Sequence, residues 1–544
     1  MNDSPSRKIP SGKRFDSWKE IAAFLRKDVR TVQRWEKNEG LPVHRKPHDK
    51  LSSVYAYESE LEAWWNAGRH PNSPSKAFQG PEHRPAMIVL PLRNLSEDRD
   101  QDYFSDGMTE ELISQLSRIN PQQLGVIAHA SAMKYKASTK SLKQITRDFG
   151  AEYALEGSVR RDGDRIRISV ALIRAADQTH SWSAAYDRDL RQILDVQAEV
   201  AQAVAKEIFV KVTNGGRTPR QNNLVDPSAY NAYLRGRYFW NRRTSESITR
   251  AIGCFEAAIA HDSVYAPAHV GLADCYAMLS SIHVGVLAPT DAMPQVISAA
   301  GKALELDPML AEAHATLGHA RLWYEWDWTA AERSFTRALE LNPSYASARQ
   351  WSAGYLQTID HTDECFHELD LALELDPLSL IARAALENAL YLERRYDKAI
   401  GESIRTLELE PSFVLSYFNL GRAYTHKGMH REAIRALKHA RQLSGESPAM
   451  MMQLGYAYAL AGKRTEARKM LAMLEQIARE RYVPAFYFAA ISTGLGDLEH
   501  AIKWLRKAQE ERCDYLIHLP KESAADPLRT DPRFDSIVPR PSVN

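Results

Sequence analysis

Residues 419–440 read NLGRAYTHKGMHREAIRALKHA. Apolar and small residues recur every three or four positions on both sides of Lys427-Gly428, which predicts two helices joined by a tight turn. Leu420, Gly421 and Tyr424 mark the first helix, and Ala433, Leu437 and Ala440 mark the second. Small residues at such sites let paired helices approach closely. The unit recurs along the chain: ALELDP, ALELNP, ALELDP and TLELEP end on Pro308, Pro343, Pro377 and Pro411, at spacings of 35, 34 and 34. A fixed period of this length predicts stacked helix pairs that bury their apolar faces against one another.

Aligned on small residues, the period runs through Ala258, Ala303, Ala338, Ala372, Thr406, Ala440, Leu474 and Ala508. Seven residues before each stand Ala251, Val296, Ala331, Cys365, Ala399, Ala433, Ala467 and Ala501. Eight repeats therefore start near 232, 266, 311, 346, 380, 414, 448 and 482, and the second carries about eleven extra residues in its turn. The 34-residue period and its Pro ending resemble the tetratricopeptide repeat. That resemblance implies an all-α superhelical solenoid over 228–515, with its concave face lined by the first helix of each pair and commonly occupied by a peptide or another protein. Counting from the repeat starts places Glu312, His319, Trp323, Asn388, Tyr391, Arg422, His426 and Tyr456 in that groove, with Ala315, Ile381, Thr425 and Met452 beside them. The alternative is that several of these only pack repeat against repeat. Residues 516–544 depart from the period and are expected to form a polar cap.

The rest of the chain differs in charge. It has 544 residues with 70 Lys plus Arg against 69 Asp plus Glu, and 44% hydrophobic residues, which excludes disorder and a disulfide framework. Residues 1–80 hold 15 basic and 10 acidic residues, so the head is at +5 and the remainder at −4. Nucleic-acid binding is therefore sought at the amino terminus. There, SWKEIAAFLRKDVRTVQRWEKNEGLPVHRK places Trp18, Ile21, Ala22 and Leu25, then Val29, Val32 and Trp35, at helical spacing. Asp28 is the expected cap of the second helix. VHRK and SSVYAY read as a hairpin and ESELEAWWNA as a third helix.

The W-x-E-I-A-like start, Thr31–Glu36 and Gly40–Pro42 resemble excisionase and MerR-like DNA-binding families. The resemblance implies a winged helix-turn-helix over 15–68. Its second helix would turn Arg30, Thr31, Gln33, Arg34 and Lys37 toward DNA, and its wing would set Arg45, Lys46 and Lys50 on phosphates. The alternative is a small helical domain with solvated charges. His44 and His48 are not expected to hold a metal.

Residues 69–85 carry four prolines and read as a linker. AMIVLPL, LGVIAHA and the long pair in AEYALEGSVRRDGDRIRISVALIRA predict strands, the last two joined at Asp162-Gly163. Helices are expected at SDGMTEELISQLSRI, with Asp106 or Thr109 as cap, at SLKQITRDFG and at LDVQAEVAQAVAKEIFVKV. An α/β sandwich over 86–213 follows, then a linker at 214–227. LRNLSEDRDQDYFSDGMTEEL and YALEGSVRRDGDRIRISVALI look like the TolB N-terminal-like domain, which implies no particular chemistry.

The four cysteines stand apart and form no C-x-x-C pair, so free thiols are expected. No signal peptide or spanning segment is read, and the expected location is cytoplasmic. Phosphate-loop, nucleophile-elbow and zinc-protease motifs are missing, so neither a cofactor nor an enzyme is expected. The expected protein is a multidomain, one-component transcriptional regulator that binds double-stranded DNA through its head, and a protein or peptide through its repeats, with a homodimer required for a two-fold operator. The alternatives are a repeat scaffold for protein assembly without DNA binding, and an enzyme with a site in the α/β domain.

Overall fold

The computed structural model divides the chain into two units, Met1–Glu82 and His83–Asn544. It describes residues 14–15, 17–24, 32, 36, 41–45, 54–57, 60–61, 85–96, 101–121, 123–136, 138–208, 225–281, 283–445 and 447–541.

In the first unit, strands β1 (Arg14–Phe15), β2 (His44–Arg45) and β3 (Val54–Tyr57) form an antiparallel sheet in the order β1-β3-β2. A helix spans Trp18–Phe24. Its i, i+3 spacing turns Ile21 inward, where it is buried with Phe15, Val32, Leu41, Ala56 and Leu61. Leu25, Asp28, Val29, Trp35 and His48 lie outside the described residues.

The second unit begins with a mixed sheet. β4 (Ala86–Val89) is flanked by parallel β6 (Gly125–Val126) and β7 (Tyr153–Asp162); β8 (Arg165–Arg174) and β9 (His180–Asp189) continue it antiparallel. β5 (Arg93–Asn94) pairs parallel with β7. Gly163 turns the β7–β8 hairpin at φ +58, a left-handed conformation that glycine adopts without Cβ strain. Helices Asp102–Ile119 and Ile193–Glu207 pack together over the sheet. The first starts earlier than expected, so Asp106 and Thr109 are not caps. Phe104, Met108 and Leu112 extend the apolar stripe by another turn, and all three are buried. Thr109 Oγ1 instead donates to Ser105 O (2.8 Å) and accepts from Leu92 N (3.0 Å), tying helix to sheet.

A helical repeat region follows, with eight antiparallel helix pairs among the described residues. The first helices are Pro227–Trp240, Ala266–Ser280, Ala311–Ala320, Ala346–Thr358, Leu380–Leu392, Val414–His426, Pro448–Leu460 and Ala485–Leu495. Every aligned position, from Ala251 and Ala258 to Ala501 and Ala508, is at most 2% exposed. The spacing chosen from small residues is therefore the spacing of the helix–helix contacts. A left-handed residue ends the pair turn at Trp326, Asp360, Arg394, Gly428, Gly462 and Gly496, 34 residues apart each time. Only the last three are glycines. The extra residues of the second repeat form a loop between Ser280 and Pro289.

From Asp514 the chain covers the last repeat, Phe534, Ile537 and Val538 clustering with Leu505 and Ala508, and it also runs on over the inner face. Its short helical turns Asp514–His518, Ser523–Leu528 and Pro532–Ile537 bury Leu516, Ile517, Leu519, Phe534 and Ile537. Ile517 packs with Leu322, Phe335 and Tyr355 of the third and fourth repeats, so the tail turns back across the first helices.

Candidate functional site

The inner face of the repeats is built from the first helices, and two other parts of the same chain occupy it. Toward its amino-terminal end the occupant is the helix Asp102–Ile119. Arg118 pairs with Glu312 at 2.5 Å, Arg237 Nε donates to Glu110 at 3.0 Å, and Tyr233 OH donates to Glu111 at 2.9 Å. Thr316 donates to Asp274 at 2.7 Å beside them. Further along, Ala128 N donates to Leu375 O (2.9 Å), and Ser131 Oγ accepts from Leu378 N (2.9 Å) while donating to Asp376.

The two neighbouring glutamates behave oppositely. Burial raises both, but the Arg237 guanidinium brings Glu110 down to about 2. Glu111 has the charged Glu110 as its neighbour, and burial plus that repulsion push it up to about 7. Its carboxyl is thus held largely protonated in mildly acidic solution.

Toward the carboxyl-terminal end the occupant is the tail. Arg422 is 3% exposed and pairs with an equally buried Glu522 at 2.6 Å. The same guanidinium donates to Asn388 (2.8 Å) and Tyr515, and lies 3.9 Å over the Tyr391 ring. Tyr391 and Tyr515 donate to Glu522 as well. Burial would raise the Glu522 carboxyl, but Arg422 and these hydrogen bonds hold it at about 2. Outside this centre, Tyr396 bonds Ser523 (2.6 Å), Arg394 pairs with Asp526 (2.6 Å), and Lys521 pairs with Glu393 and Asp360 (2.6 and 2.9 Å). The space left beneath the tail, lined by Phe418, Met452, Tyr456 and Phe486, is about 20 Å³. That is room for one water and not for a peptide.

The eight residues expected in the groove therefore fall into three sets. Tyr391 and Arg422 hold the tail, with Asn388 accepting from Arg422; Glu312 holds the central helix. His319 stacks on Trp323 at 4.6 Å and meets Trp351 at 5.2 Å, and burial lowers its pKa to about 4. His426 sits among Tyr391, Tyr396 and Tyr456, with centroids 5.6 to 6.0 Å away, and burial lowers its pKa as well. Glu522 was missed from sequence because it lies outside the period. The signal was available: Leu516, Ile517 and Leu519 come before the residues that cover the last repeat, Phe534, Ile537 and Val538, and they need a second apolar surface to be buried against.

Of the DNA-facing set, Arg30, Thr31, Gln33, Arg34, Lys37, Lys46 and Lys50 lie outside the described residues. Arg45 is placed by its backbone in β2 opposite Val54. His44 Nε2 is 2.6 Å from Glu60 and its ring stacks on Tyr55. Among the described residues, no group of three His, Cys, Asp or Glu could hold a metal ion, and no helix is long and apolar enough to cross a membrane.

Residues 84–203 match the family model of the HilA/YgeH-like transcriptional regulator, second domain, and residues 414–445 match the tetratricopeptide repeat. A protein of Rhizobium meliloti (strain 1021) named "Putative adenylate cyclase 3" is 33% identical over 264 residues, which are 48% of this chain and 44% of that protein. The match thus spans less than half of the relative. Among solved structures, the human IFIT1 dimer with m7Gppp-AAAA is 14% identical, with a TM-score of 0.41, over 64% of this chain and 78% of that one. YrrB, described as a TPR protein with an unusual peptide-binding site, is 20% identical, with a TM-score of 0.24, over 36% of this chain and 95% of its own. The expectation that the chain is not an enzyme is corrected by the Rhizobium relative, whose name is that of an enzyme.

Proposed function

We propose that the chain is a DNA-binding one-component transcriptional regulator. The observation that carries this reading is the match of residues 84–203 to a domain of a transcriptional-regulator family, behind a head with an excess of five positive charges. A winged helix-turn-helix over 15–68 would make the DNA contacts. In support, β2 and β3 pair antiparallel, and Val32 is buried with Ile21 and Leu61, as a wing beside a helical core requires. Arg30, Thr31, Gln33, Arg34 and Lys37 would face bases, and Arg45, Lys46 and Lys50 phosphates. The α/β sandwich over 86–213 and the eight-repeat superhelix over 228–515 would receive the signal. Because the inner face holds the chain's own helix and tail, a protein or peptide partner competes with the tail or uses another face. A two-fold operator would call for a homodimer, and action on chromosomal DNA for a cytoplasmic location.

Fluorescence anisotropy with the full chain tests the assignment once a bound sequence is in hand. Arg34→Ala should weaken specific binding by about 1–3 kcal/mol through a lost guanine contact. Lys46→Ala should lower affinity for all DNA and reduce the slope of log affinity against log salt by about one unit. Binding indifferent to both substitutions overturns the assignment.

A second reading, nucleotide cyclisation, is favoured by the Rhizobium relative's name. Its test is formation of cyclic AMP and pyrophosphate from ATP by the purified chain with a divalent cation. No product above a heat-inactivated control removes it.

A further inference from the structure

We propose that a cleft between the central sheet and the first repeat binds a nucleoside phosphate. The cleft has a volume of about 580 Å³, within the range of small-molecule sites, and is lined by Gln101, Tyr103, Arg161, Asn231, Arg235 and Tyr238. Among the described residues its wall carries two guanidinium groups and no carboxylate. Arg161 is held in place before any ligand arrives: Nη1 donates to Asn231 (2.8 Å) and Nε to Gly163 O (3.0 Å). Tyr103 OH donates to the same Asn231 oxygen at 2.5 Å. Arg235 is exposed, 5.8 Å from the Tyr103 ring, and Arg242 stands at the rim, 4.6 Å over Tyr238.

Each feature asks for a different part of the ligand. The guanidinium forks match phosphate oxygens in geometry and charge. The rings of Tyr103, Tyr238 and the adjoining Phe239 offer flat faces to a base. Gln101, whose Oε1 is buried, closes the wall beside Tyr103. Inorganic phosphate satisfies the first demand alone and adenosine the second alone. The cleft joins the β7–β8 turn, the start of the helix Asp102–Ile119 and the first repeat helix, so an occupant ties the central sheet to the repeats. This site goes beyond the DNA-binding reading and does not rest on it.

The test is calorimetric titration of the full chain with AMP, with adenosine and inorganic phosphate as separate titrants. AMP has no pyrophosphate to lose, so the outcome is independent of cyclase activity. The expected result is saturable AMP binding, with adenosine and phosphate each at least about tenfold weaker. Arg235→Glu should weaken AMP binding by about tenfold or more at an unchanged melting temperature of the unliganded protein, because Arg235 is exposed. Arg468→Glu, a distant exposed position, should leave binding unchanged. The proposal is overturned by no saturable AMP binding to the unsubstituted chain, by Arg235→Glu binding like it, or by phosphate binding as tightly as AMP.

Discussion

Arg422 shows how a residue chosen for one role carries another. Its position in the sixth repeat directs it inward, as repeat counting predicts, but its charge is matched by Glu522 from the same chain. A buried charge left without its partner is costly, so Arg422→Ala should destabilise by about 3–5 kcal/mol in chemical denaturation. After Glu522→Gln the same substitution should cost less, since the partner left behind is neutral; equal losses in both backgrounds would show that the pair does not couple. Glu110, Glu111 and Glu522 each contribute to the pH response. Glu110 and Glu522 titrate at about 2 in the fold, below the usual carboxylate value, so their contribution is present above about pH 4.5 and is lost as pH falls toward 2. Glu111 titrates at about 7, so its contribution is present below about pH 4.5 and is lost as pH rises through 7. Melting temperature against pH should therefore decline on both sides, and Glu111→Gln should flatten the decline between pH 5 and about 7. An unchanged slope would contradict the protonated Glu111.

At the level of the element, the pair turns separate backbone demand from packing demand. Gly462 has φ +74 and its absent Cβ would meet nothing, so Gly462→Ala should cost about 1 kcal/mol from left-handed strain alone. Gly421 is an ordinary helical residue whose Cβ would fall 2.4 Å from Leu437 Cγ, so Gly421→Ala should cost more, through forced separation of the two helices. Comparable losses at the two sites, measured by denaturation midpoint, would contradict this division. The same contrast explains what was legible in the sequence. Helices whose contacts recur with a period, such as those meeting at Ala433 and Ala440, declare themselves through small residues at fixed spacing. The start of the helix Asp102–Ile119 was hidden because Asp106 and Thr109 imitate capping residues while Phe104 and Met108 carry the buried stripe. The tail was hidden because it is itself aperiodic, which leaves only its composition as a trace of burial.

For the whole molecule, the repeats hold other parts of their own chain: the helix Asp102–Ile119 near one end and the tail near the other. A chain ending before Asp514 would uncover Tyr391, Arg422, Tyr456 and Phe486; it should melt at a lower temperature and bind an apolar-surface dye more strongly than the full chain. Equal dye binding would show that the tail is not what covers that face. In the proposed reading the basic head is the output. The central claim, that this output is sequence-specific DNA binding, is tested most directly by selecting bound fragments from genomic DNA with the full chain and with Arg34→Ala. The account predicts enrichment of a shared sequence by the full chain and its loss with Arg34→Ala; no enrichment by the full chain would contradict it.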